Sequence, residues 1–149
     1  MKPATFPVRV LAAVAAFTLS TYAGAAHNPQ HATADGLEIY YGVLPAAMVR
    51  GHEKEHSGKP QASRDFHVVV TLFDKATGRR ITEAKVAARI AEVGLAGEEK
   101  SLELMKVNEA MSFGNYFRMS GPGPHRIELS IRLPGAHRPI QARFEYRQP

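Results

Sequence analysis

A chain of 149 residues with no cysteine has no disulfides, no thiolate metal ligands and no thiol nucleophile, so any chemistry must use imidazole, thioether, carboxylate or hydroxyl groups. Its 19 Lys and Arg against 14 Asp and Glu give a formal net charge of +5, scattered among acids instead of gathered in a run, which argues against a nucleic-acid partner. The length suits one compact domain and is short for two.

Residues 1–26 carry Lys2 and Arg9, an apolar run from Val10 to about Leu19, and then Ala23-Gly24-Ala25-Ala26. That is the three-part pattern of a secretory signal peptide. The run is shorter than the ~20 apolar residues that cross a bilayer. Cleavage near Ala25 or Ala26 and a periplasmic product are expected, with a retained N-terminal anchor as the alternative. Residues 27–36 are polar and aperiodic and predict a flexible lead-in. His27 would lie close to a new N-terminus, where an amine and an imidazole can hold copper(II) in a tetragonal site; the other reading is a plain tail.

Residues 37–149 predict a single β-sandwich domain with a long loop over 48–65. Leu37–Leu44 alternates, with Leu37, Ile39, Tyr41 and Val43 on one face, and ends at Pro45, the pattern of a first strand. The following stretch, MVRGHEKEHSGKPQASRDFH from Met48 to His67, contains His52, Glu53 and His56 in HExxH spacing. Zinc peptidases use that spacing because two imidazoles four apart on a helix face one metal and the adjacent Glu serves as base. Here Gly51 before the string and Ser57-Gly58-Lys59-Pro60 after it leave too few residues for a helix. The string also has no apolar face to pack. Peptidase activity is therefore not expected. A metal reading without a helix survives: Met48, His52, His56 and His67 can surround an ion, and imidazole with thioether suits copper or another late transition metal. An ordinary solvated loop is the alternative.

Phe66–Phe73 is an apolar run of strand length followed by Asp74-Lys75-Ala76-Thr77-Gly78, a turn that places Gly78 at positive φ. Ile81–Val93 has helix-forming residues but alternates at Val86, Ala88 and Ile90, and its neighbours favour a strand in a hairpin-like connection. Gly94–Lys100 predicts a linker. Ser101–Val107 predicts a short strand with Leu102, Leu104 and Val107 inward. Ser112–Met119 supplies Phe113, Tyr116, Phe117 and Met119 before Gly121-Pro122-Gly123-Pro124. Arg126–Leu133 and Ile140–Tyr146 alternate strictly and predict an antiparallel hairpin with one wet face. Met105, Met111, Met119 and His125 form a second pool of soft ligands, with core filling as the alternative for the methionines. About seven strands in this length predict an immunoglobulin-like antiparallel sandwich, because a single sheet could not hide its apolar face.

Two strings also resemble known modules. Leu72-Phe73-Asp74, Thr77-Gly78 and Ile81–Ile90 resemble the opening of small bacterial immunoglobulin-like modules. Gly114-Asn115-Tyr116-Phe117-Arg118-Met119 with Gly121–Leu129 is similar to their last hairpin. The families that these strings resemble are the exported YtkA-like domains and, more distantly, the CopC-like periplasmic copper carriers. The resemblance covers residues 66–147 and implies a β-sandwich in the periplasm. Residues and resemblance together predict a non-catalytic protein that binds or delivers a transition metal, copper foremost, through the His/Met loop. The alternative is an envelope protein–protein interaction module with no metal role, docking on a membrane-embedded or envelope partner.

Overall fold

The structure is a computed structural model and describes residues 30–49, 65–107 and 109–148. Among them are nine strands: β1 (His31–Ala34), β2 (Leu37–Pro45), β3 (Asp65–Asp74), β4 (Arg80–Ile81), β5 (Lys85–Glu92), β6 (Glu98–Val107), β7 (Ala110–Arg118), β8 (His125–Arg132) and β9 (Ile140–Tyr146). A single 3₁₀ turn, Ala46–Met48, follows β2. The predicted signal peptide, His27 and the HExxH residues His52, Glu53 and His56 lie outside the described residues.

All pairings are antiparallel. A first sheet runs β1-β2-β3-β7-β6, with β4 added to the end of β3, and a second runs β6-β5-β8-β9. The strand β6 belongs to both: residues 98–102 pair with β5 and residues 103–107 with β7. The pleat of β3, β5 and β8 turns Val68, Val70 and Leu72, then Val86, Ala88 and Ile90, then Ile127, Leu129 and Ile131 into one buried cluster between the sheets. The far edges also meet, since the rings of Tyr41 on β2 and Phe144 on β9 are 4.4 Å apart and the Tyr41 hydroxyl donates to the Glu145 carbonyl at 3.4 Å. This is the all-β antiparallel sandwich that the alternation predicts.

Four details differ from the sequence expectation. Part of the expected lead-in is a strand, since His31–Ala34 pairs with Leu37–Tyr40 through a tight turn at Asp35 and Gly36, both at positive φ. The strand β5 is not the hairpin partner of β3. The short β4 pairs there, and β5 crosses to the second sheet. The expected linker ends early, since β6 begins at Glu98, and Leu104 is 44% exposed because it lies where β6 has become the edge of the first sheet. Finally, β7 and β8 form no hairpin. The Gly-Pro-Gly-Pro segment carries the chain from one sheet to the other.

Candidate functional site

In β3 the core takes Val68, Val70 and Leu72, so the pleat turns His67, Val69 and Thr71 to the opposite face of the first sheet. An out-of-phase histidine on such a face is ordinarily solvated, yet His67 is only 1% exposed. Directly across from it on β7 is Tyr116, with ring centroids 4.7 Å apart at 35°. Ser112 lies on the same face of β7, and Met105 is its partner on β6. His67, Tyr116, Ser112 and Met105 are each 5% exposed or less. They form a second buried group behind the first sheet, separate from the apolar core.

At its centre is Gly114. His67 pairs with Tyr116 and Met105 with Ser112, two residues to either side of the glycine and on the two strands that flank it. Their side chains lean in over Gly114 from opposite corners. A Cβ at position 114 would stand 2.7 Å from the Met105 sulfur and 3.0 Å from His67 Nε2. Both atoms lie that close to one point, so they are less than about 6 Å apart. Around them Thr71 and Ser112 share a hydroxyl hydrogen bond of 2.9 Å, Glu103 stands opposite Gly114 on β6, and Asp65 approaches Arg118 Nε at 3.7 Å.

The predicted ligands are distributed as follows. His67 lies in this group. Met48 is on the 3₁₀ turn after β2, 76% exposed, at the same end of the β2–β3 pair, where Leu44 is the neighbour of His67. His52 and His56 lie outside the described residues. The second pool is divided. Met105 joins His67, Met111 offers its carbonyl to Arg80 at 2.9 Å, and Met119 and His125 are buried at the crossover from β7 to β8. There His125 Nε2 donates to the Ser120 carbonyl at 3.0 Å, and Nδ1 has no hydrogen-bond partner among the described residues. The sequence places His67 and Met105 in separate pools. Their meeting depends on strand order, and the one local signal is a glycine inside the apolar Phe113–Phe117 strand.

The donor set suits a soft ion of low coordination number, since thioether and imidazole both favour copper. It does not make a four-ligand zinc site. Among the described residues no group of three or more His, Cys, Asp or Glu side chains could hold a metal ion.

No protein-family model matches the sequence, and no curated protein matches it. Solved structures do match in shape, and they define the class as a small antiparallel β-sandwich. A copper-bound single-residue variant of FetP from uropathogenic Escherichia coli strain F11 superposes with a TM-score of 0.63 at 16% identity, over 79% of this chain and 93% of FetP. A copper-bound single-residue variant of Campylobacter jejuni P19 gives 0.63 at 14% identity, over 82% of this chain and 98% of P19. A DUF4426 family protein of Pseudomonas aeruginosa PAO1 gives 0.58 at 15%, over 80% of this chain and 95% of its own. At such identity the likeness establishes the fold.

Proposed function

We propose that this chain is an exported, non-catalytic β-sandwich that binds copper in the bacterial envelope and passes it on. The observation that carries the reading is the convergence of His67 Nε2 and the Met105 sulfur over Gly114, in a fold shared with copper-bound FetP and P19. Periplasmic placement follows from the signal-peptide pattern of residues 1–26, and a FetP of this fold was itself produced in the periplasm. In this reading His67 and Met105 are the inner ligands. Met48, His52 and His56 are the outer donors through which the ion arrives or leaves.

The test is metal titration of protein purified from the periplasm after expression of the full chain, beside His67→Asn, Met105→Leu and the double variant His52→Ala, His56→Ala. Stoichiometric copper binding that weakens at least tenfold in each inner-ligand variant is expected. Copper binding equal in all four proteins removes the reading.

A second reading, an interaction surface, is favoured by the exposed Tyr40, Leu44 and Met48. Tyr40 and Leu44 share a face of β2 beside the site. In a delivering protein that strip is where the recipient docks.

A further inference from the structure

The two inner donors reach each other only because the residue between them has no side chain. His67 and Met105 sit on strands separated by β7, at diagonal positions on either side of Gly114, and in an ordinary sheet the intervening side chain would fill the space where they meet. Gly114 is not required by its backbone: it is absent from the residues at positive φ, and strand interiors disfavour glycine. What a side chain would meet is specific. The nearest atoms to an added Cβ are the Met105 sulfur at 2.7 Å, His67 Nε2 at 3.0 Å and the Val68 carbonyl at 3.2 Å. Two of the three are the proposed donors, and the closest is the far end of a flexible side chain that can swing away.

We infer that Gly114 is the positioning residue that lets His67 and Met105 share one ion, and that the paired site selects copper(I) over copper(II) and zinc(II). This rests on the copper reading above. The selectivity follows from donor number and softness. One imidazole and one thioether satisfy a monovalent ion content with two or three soft ligands, whereas copper(II) prefers four N or O donors in a plane and zinc(II) four in a tetrahedron. The hydroxyls nearby, Thr71 and Ser112, are occupied with each other.

The experiment compares wild-type protein and Gly114→Ala, both purified from the periplasm. Copper(I) affinity is measured anaerobically by competition with a colorimetric chelator, copper(II) and zinc(II) by direct titration, and the fold by circular dichroism and thermal melting. Alanine should leave the melting temperature within a few degrees, since the methionine can move, while copper(I) affinity falls at least tenfold. X-ray absorption of the wild-type copper(I) form should show one sulfur scatterer and one imidazole.

Gly114→Ala that folds and binds copper(I) as tightly as wild type overturns the role of the glycine. Copper(II) or zinc(II) bound as tightly as copper(I) overturns the selectivity. If Gly114→Ala does not fold, a wild-type spectrum without sulfur overturns the proposal by itself. Loss of binding in His67→Asn and Met105→Leu with none in Gly114→Ala defeats this inference and leaves the copper reading standing. Copper binding unchanged in all three variants defeats both.

Discussion

Single residues set the chemistry of this surface by departing from the pattern around them. His67 interrupts a run of Val and Phe on the face where polar residues belong, but it is buried there, and Gly114 interrupts a strand of aromatics. Both departures are visible in the sequence. What joins them is not, because Met105 lies far along the chain from His67 and alternation alone does not say which strands become neighbours. The turn at Asp74–Gly78 was legible by contrast. The Asp74 carboxylate accepts from the Thr77 hydroxyl at 2.7 Å and the Thr77 amide at 2.8 Å, and Gly78 takes the positive φ predicted for it. Those bonds, the Thr77 hydroxyl first, hold the Asp74 pKa below its ordinary 3.8. A carboxyl lowered on folding stabilises the fold above its unfolded pKa, and the contribution is lost as pH falls through the folded one. A side-chain NMR titration should therefore place the Asp74 midpoint below 3.8, and Thr77→Ala should move it upward. The carboxyl of Glu38 is lowered in the same direction, chiefly by its hydrogen bond with His31.

Elements add a feature that no window of sequence displays. Residues 98–107 form one continuous strand, but halfway along β6 leaves β5 for β7. Where it parts from β7, side chains take over from the ladder. Asn115 Nδ2 donates to the Ser101 carbonyl at 2.8 Å while its Oδ1 accepts from the Tyr116 amide at 2.8 Å, and the Lys100 ammonium donates to the Tyr116 carbonyl at 2.8 Å. These bonds fix the strand next to the His67–Tyr116 pair. Replacing Asn115 by Ala removes two of them and should cost about 1–3 kcal/mol at roughly 0.5–1.5 kcal/mol each, measured by urea unfolding. The charge-rich start of β6, Glu98-Glu99-Lys100, explains why its beginning reads as a linker. Those residues make cross-strand ion pairs such as Arg89–Glu99 at 2.6 Å and contribute little apolar pattern.

At the scale of the whole molecule, stability comes from one cluster of aliphatic and aromatic side chains with no disulfide to supplement it. Leu129 is fully buried at its centre. Leu129→Ala should cost about 2–5 kcal/mol, a large share of the roughly 5–15 kcal/mol of a typical domain, and should lower the urea midpoint accordingly. A ligand bound only by the folded state works in the other direction. On the copper reading, copper(I) at about a hundred times its dissociation constant should add about 2.7 kcal/mol, read as a rise in melting temperature that a tenfold weakening in Met105→Leu cuts to about half. The sandwich class was legible because inward and outward residues alternate so regularly in β2, β8 and β9. The assignment of strands to sheets was not, because alternation identifies an inner face without identifying the partner it faces.

The double membership of β6 has a consequence for how the domain comes apart. Its first half completes the second sheet and its second half completes the first, so neither sheet can peel away without stripping a strand from the other. Unfolding is then one cooperative event, and Tyr116 in the first sheet and Tyr146 in the second should report the same denaturation midpoint.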